Sequence, residues 1–126
     1  MRNKYHNKKL IIDGLKFDSD GEYQYWLKLS EMQEKGDIRG LDRQVRIEIL
    51  PKQLYSNGKV KHRAVHYVAD FVYEDKEGNT HYVDFKGMKT ADFKLKQKLF
   101  SYYVGKDIEL VKMKKNKKNI EFISTF

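Results

Sequence analysis

Apolar and polar positions alternate in two rhythms along this chain. In "RQVRIEIL", residues 43–50, Val45, Ile47 and Ile49 share one face and Gln44, Arg46 and Glu48 the other, the period-two pattern of a half-exposed strand. "DSDGEYQYWLKLSEMQEKG" repeats at helical spacing instead. It predicts a helix over about 19–35, with Asp18 or Ser19 as N-cap, acidic residues in the first turn and Gly36 as terminator. At about 100° per residue, Tyr23, Trp26, Leu27, Leu29 and Met32 form its apolar side, and Gln24, Lys28, Glu31 and Lys35 its polar side. A second helix is predicted over roughly 91–104, capped by Thr90. Its buried side should hold Leu95, Leu99, Phe100, Tyr102 and Tyr103, with Lys94, Gln97, Lys98 and Ser101 in water.

The remaining segments read as strands and turns. "LIIDGLKF" is a short strand or hairpin around Asp13-Gly14, and Pro51 ends or offsets the 43–50 strand. Asn57-Gly58 is the strongest hairpin signal, leading into "VKHRAVHYVADFVYED"; "DKEGN" then returns the chain into "THYVDFKG". Two hairpins in succession make a three-stranded meander. "DIELVKM" and "IEFIST" supply two closing strands around the charged turn "KKNKKN". The order implies an α+β fold, α/β/α-like, with a mixed central sheet flanked by helices. Residues 1–9, carrying Arg2, Lys4, Lys8 and Lys9 without periodicity, read as a basic arm, and 10–126 as a single domain.

Charge sharpens this picture. The formal net charge is +8, and between Lys86 and Lys118 eleven lysines face only Asp92, Asp107 and Glu109, a local excess equal to that of the whole chain. Clustered lysines displace counterions from a phosphate backbone, so Lys89, Lys94, Lys98, Lys112, Lys114, Lys115, Lys117 and Lys118 are candidate nucleic-acid contacts. The chain has no cysteine, which excludes thiol catalysis, disulfides and thiolate zinc sites and makes the cytoplasm the simplest compartment. No apolar run approaches the roughly 20 residues of a membrane span, and "MRNKYHNKKL" lacks the apolar core of a signal peptide. His6, His62, His66 and His81 have no zinc-site spacing; His66 and His81 read as strand residues near the site.

Candidate chemistry comes from polar residues in apolar places. Glu22 falls between Trp26 and Leu29 on the apolar side of the first helix, and Lys96 between Phe100 and Tyr103 on the second. Asp70 interrupts "AVHYVADFVY", and in "HYVDFKGMKT" Tyr82, Asp84 and Lys86 share one face while His81, Val83 and Phe85 share the other. A carboxylate turned into a fold is costly unless protonated, paired or bound to a metal. The turn at 75–79 brings Asp70 and Asp84 toward the same end of the sheet. Convergence of Glu22, Asp70 and Asp84 would suit Mg²⁺ or Mn²⁺, hard cations that favour oxygen ligands and bind phosphate. Lys86 would then orient or deprotonate an attacking water, or stabilise charge on phosphorus.

"VADFVYEDKEGNTHYVDFKG" resembles the core of the PD-(D/E)XK nuclease superfamily, with Asp70 as first acid, Asp84, Phe85 and Lys86 as the acid-x-lysine element, Glu22 as helical glutamate and Lys96 as the second-helix basic residue. Across about 13–105, "GLKFDSDGEYQYW", "GDIRGLDRQVRIEI", "VDFKGMKT" and "FKLKQKLF" look like small phage-associated nuclease-like proteins, a group similar to phage Holliday-junction resolvases and transposon-end endonucleases. Ala69 stands where many members have proline, and Asp84 where many have glutamate. The resemblance implies a restriction-endonuclease-like core and Mg²⁺ or Mn²⁺ at Glu22, Asp70, Asp84 and Phe85. It also implies a homodimer that hydrolyses branched or duplex DNA in phage or mobile-element recombination. A non-catalytic nucleic-acid-binding module, or a nuclease subunit of a transposase-like complex, is the alternative.

Overall fold

In the computed structural model, which describes residues 10–12, 14–85, 89–115 and 120–124, the two rhythms separate into a mixed sheet and two helices. A small hairpin, β1 (Leu10–Ile12) and β2 (Leu15–Phe17), precedes helix α1 (Asp20–Glu34). Strand β3 (Ile38–Leu50) leads through a second hairpin, β4 (Gln53–Leu54) and β5 (Val60–His62), to β6 (Val65–Asp75) and β7 (Thr80–Phe85). Helix α2 (Ala91–Val104) then crosses to β8 (Ile108–Lys115), followed by β9 (Ile120–Ser124). The central sheet has the order β3-β6-β7-β8-β9, antiparallel except for the β7–β8 pair, which needs the α2 crossover. This is the expected α+β fold. Among the described residues no helix is long and apolar enough to cross a membrane.

Each helix covers one face. Tyr25 and Leu29 of α1 pack with Ile38, Phe71, Val83 and Val111, whereas Phe93 and Phe100 of α2 pack with Ile49, Tyr67, Ala69, Ile108 and Leu110. Both helix faces differ in part from the wheel expectation. Tyr25 rather than Leu27 is buried on α1, and on α2 Leu95, Tyr102 and Tyr103 are exposed while Phe93 is buried. Each sheet face offers one layer of contact, so only a narrow stripe of each helix meets it; the wider apolar arc includes residues that overhang. Asn57-Gly58 closes the separate β4–β5 hairpin, which is not paired with the central sheet, and the meander is β3-β6-β7. Strand β3 also begins five residues before the expected Arg43, at Ile38.

The sheet contains one irregularity that matters for the site. Ala69 packs toward α2 and Phe71, two residues on, toward α1. On β3, Ile47 packs toward α2, whereas the Arg43 guanidinium lies over the Phe17 ring at 4.1 Å on the α1 side. Regular alternation would keep each of these pairs on one face. Arg43 pairs with Phe71 and Val45 with Ala69, so both strands change face at the opposed residues Gln44 and Asp70. Gln44 does so with a left-handed backbone, φ 54°, the one non-glycine positive φ among the described residues.

Candidate active site

Glu22 reaches the site through its helix cap. Ser19, extended, accepts the Glu22 N–H at 3.1 Å, and Glu22 Oε2 reaches back to accept the Asp18 N–H at 3.3 Å, a variant of the capping box. Gly21 lets this end of α1 sit against β7, since a Cβ there would lie 2.7 Å from the Phe85 ring. The Glu22 side chain is thereby buried, 3% exposed. Its Oε1 accepts a hydrogen bond from Gln44 Nε2 at 3.2 Å and lies 3.7 Å from Arg43 Nη2.

Gln44 ties this carboxylate to the next. Its Nε2 also donates to Asp70 Oδ1 at 3.3 Å, so one amide bridges two acids. Asp70 Oδ2 accepts the Phe85 N–H at 2.8 Å. The β6–β7 ladder runs from Glu74–Thr80 to Phe71–Val83, and beyond it the Asp70 carboxylate takes the next β7 donor where a strand carbonyl would otherwise serve. Asp84, on the α2 side of β7 and 2% exposed, pairs along the backbone with Leu110 of β8.

These groups open into a cleft of about 290 Å³ lined by Asp18, Gln44, Tyr67, Asp70, Asp84, Thr90, Asp92 and Lys96, among others. Four of the lining residues are aspartates, against a single described lysine, Lys96, whose Nζ is 3.8 Å from Asp92. Burial, then the charge of Asp70, pushes the Glu22 pKa up to about 7 despite the Asp18 N–H and Arg43. Burial first, then the carboxylates of Asp84 and Asp70, raises the Tyr67 pKa far above the phenol range, so its hydroxyl keeps its proton beside Asp84. The cleft is thus rich in hard oxygen donors and short of positive charge, which suits Mg²⁺ or Mn²⁺ in donor type. Among the described residues, no three carboxylates or histidines are drawn together closely enough to hold an ion by themselves.

Of the residues singled out from the sequence, Asp70, Asp84 and Lys96 line one cleft and Glu22 joins them through Gln44. Phe85 contributes its backbone N–H to Asp70 and its ring to the α1 contact. Lys86 lies outside the described residues, as do Lys117, Lys118 and the 1–9 arm. Lys89, Lys94 and Lys98 line a separate groove of about 710 Å³ with Gln97, Ser101 and Tyr102. Lys112 and Lys114 are exposed on β8, which ends at Lys115. His81 is not a cleft residue. Its Nε2 is 2.7 Å from Asp75 and its Nδ1 2.6 Å from Glu109, toward the 75–79 turn. His66 contacts Arg46 at 3.2 Å and does not line the cleft either. Gln44, Arg43 and Tyr67 were not marked by the sequence, where each fits an ordinary alternating strand.

Residues 2–122 match DUF1064, described as a protein family of unknown function, and the chain belongs to that family. Neither the curated proteins nor the solved structures give a match.

Proposed function

We propose that the protein is a divalent-cation-dependent DNA endonuclease that hydrolyses phosphodiester bonds in the Asp70–Asp84 cleft. The observation supporting this reading is that acids of β6 and β7, Asp70 and Asp84, line one cleft, while buried Glu22 of α1 is bridged to Asp70 by the Gln44 amide, its pKa raised to about 7 by burial and by the charge of Asp70. Such groups destabilise a fold and are concentrated where chemistry uses them. Glu22, Asp70 and Asp84 would hold the cation, Mg²⁺ or Mn²⁺, which when bound would polarise the phosphoryl oxygens and favour deprotonation of water. In hydrolysis a water oxygen forms a bond to phosphorus, one P–O ester bond breaks, and the leaving oxygen takes a proton. Lys96 brings a cation to the mouth of the cleft, positioned to offset charge on the phosphate. Tyr67, kept protonated, offers a hydroxyl beside Asp84. The resemblance noted in the sequence points to branched DNA and a homodimeric protein.

A non-catalytic DNA-binding module is the second reading, favoured by the lack of a preassembled three-ligand cluster among the described residues. Metal dependence separates the two. Purified protein is incubated with linear, nicked and four-way-junction DNA in Mg²⁺, Mn²⁺, Ca²⁺ or EDTA, beside Asp84→Asn and Asp70→Asn. A nuclease cleaves in Mg²⁺ or Mn²⁺, stops in EDTA and is silenced by either substitution with binding retained. Binding without cleavage under every condition overturns the proposal.

A further inference from the structure

The β4–β5 hairpin has no evident work within the fold. Every residue from Pro51 to Arg63 is exposed, and the two strands form a sheet of their own. An isolated two-stranded hairpin is marginal in water, yet this one is carefully closed. Tyr55 N–H bonds the Lys59 carbonyl at 2.8 Å, Asn57 Oδ1 accepts the Lys59 N–H at 2.9 Å, and Gly58 takes φ 88°. Its side chains are of two kinds. Lys52, Lys59, Lys61 and Arg63 are cationic, and no acidic residue occurs between Glu48 and Asp70. Leu54, Tyr55 and Val60 are exposed apolar groups, with the Lys61 ammonium 6.0 Å from the Tyr55 ring.

Its place relative to the cleft is fixed by connectivity. The chain enters the hairpin from Leu50 and leaves it into Val65, which pair with each other, while β7 stops at Phe85. Strands β3 and β6 therefore run on past the end of β7, and the hairpin lies beyond that extension. At about 3.3 Å per residue, Asp70 to Val65 covers roughly 17 Å. A substrate in the cleft that extends along β6 meets the hairpin next.

We propose that the β4–β5 hairpin is a duplex-gripping arm, a two-stranded ribbon that enters a groove of DNA held at the cleft while Lys52, Lys59, Lys61 and Arg63 neutralise the bordering phosphates. The major groove, about 12 Å wide, admits a two-stranded ribbon. A solvated cationic loop accounts for the lysines but leaves the exposed tyrosine, leucine and valine unexplained; a groove takes both kinds. A second copy of the same uniformly basic hairpin would be repelled, which argues against a self-association arm. The inference deepens the nuclease reading by naming the element that holds the substrate, and it is tested through binding alone.

The full-length chain and a variant with Lys52→Gln, Lys59→Gln, Lys61→Gln and Arg63→Gln are titrated onto fluorescein-labelled duplex DNA in EDTA over a series of salt concentrations. Each lost phosphate contact lowers the log–log salt slope by about 0.9, so the variant loses about 2–4 units of slope and at least about tenfold in affinity at low salt. Tyr55→Ala separately weakens binding without changing the slope. Circular dichroism and melting temperature stay unchanged for both, because none of the altered side chains is buried. An unchanged slope and affinity in the fourfold variant overturns the inference. So does a sedimentation shift showing lost self-association with DNA binding intact. The two proposals fail separately: hairpin-dependent binding without any cleavage sinks the nuclease reading alone, and Mg²⁺-dependent cleavage with an unaltered slope in the variant sinks the arm alone.

Discussion

Gln44 and Asp70 face each other across β3 and β6 at the point where both strands exchange the faces they present, and the Gln44 amide donates to Asp70 Oδ1 at 3.3 Å. The same nitrogen donates to Glu22 Oε1 at 3.2 Å. Two carboxylates brought this close repel, and the positive end of an amide dipole between them offsets part of that repulsion. The left-handed backbone of Gln44 is the cost of aiming its side chain there.

Backbone and amide contributions at position 44 can be separated. Gln44→Ala removes the amide and keeps the unfavourable φ, whereas Gln44→Gly removes the amide and relieves the backbone. Gln44→Gly is therefore expected to be more stable than Gln44→Ala by about 1 kcal/mol in urea melts. Because the amide occupies oxygens that a cation would take, Mg²⁺ should raise the melting temperature of Gln44→Ala more than that of the wild type. Equal stability of the two variants would show that the backbone at Gln44 carries no strain.

Glu22 gives the second prediction, and its sign follows from linkage. Its folded pKa, about 7, lies above the ordinary 4.5, so between those values the folded state holds the proton that the unfolded state releases. Stability of the cation-free protein accordingly falls as pH rises from about 4.5 to 7 and stays lowered above. Glu22→Gln removes the titration. It should stabilise the protein by roughly 2–3 kcal/mol above neutrality in EDTA, and by little near pH 4.5, while abolishing Mg²⁺-dependent cleavage. Urea unfolding at both pH values measures this; equal effects at the two would mean that Glu22 ionises normally.

How much of this was legible in the sequence depends on whether one residue or a pair of strands carried the signal. Glu22, Asp70 and Asp84 stand out because each places charge where periodicity calls for apolar side chains; Asp70 and Asp84 line the cleft, and Glu22 is tied to Asp70 through Gln44. Gln44 did not, because a polar residue in an alternating strand looks solvated, and the change of face at the Gln44–Asp70 pair exists only once β3 and β6 are in register. The α2 face was misread for a related reason: Leu95, Tyr102 and Tyr103 fit an apolar arc, but the sheet meets only the stripe around Phe93 and Phe100. The hairpin's charge was hidden by whole-chain bookkeeping, since its lysines are cancelled in the sum by acids elsewhere.

Gly21 sets how closely α1 approaches β7. Helix propensity favours alanine over glycine by about 1 kcal/mol, less in a first turn. Against this, an alanine Cβ would lie 2.7 and 2.8 Å from two Phe85 ring atoms, and that ring is itself packed near Tyr25 and Phe122. Overpacking of this kind costs about 1–3 kcal/mol, so Gly21→Ala should be net destabilising. In a Phe85→Leu background the same substitution should be neutral or favourable. A double-mutant cycle by thermal melting reads the coupling, and additive effects would show that the ring yields freely.

The last prediction concerns His81, whose two ring nitrogens each face a carboxylate, Asp75 at 2.7 Å and Glu109 at 2.6 Å, while its ring stacks on Tyr73. Only the imidazolium can donate to both acids at once. Burial opposes the charge, but the hydrogen bonds to Asp75 and Glu109 and their charges prevail, and the His81 pKa is raised. The Asp75 pKa is lowered, chiefly by the bond from His81. A raised histidine contributes stability that is fully present below its unfolded value, about 6.5, and is lost as pH rises through the folded value. The lowered Asp75 loses its share only as pH falls through its own folded pKa, well below that window. His81→Gln should therefore destabilise the protein more at about pH 6 than at about pH 9, with the two stability curves converging as the imidazolium deprotonates. Because His81 does not line the cleft, Mg²⁺-dependent cleavage measured where both proteins are fully folded should be unchanged. Parallel pH–stability curves for the two proteins would show that folding leaves the His81 pKa unshifted, and the Asp75 and Glu109 contacts would then not favour the imidazolium.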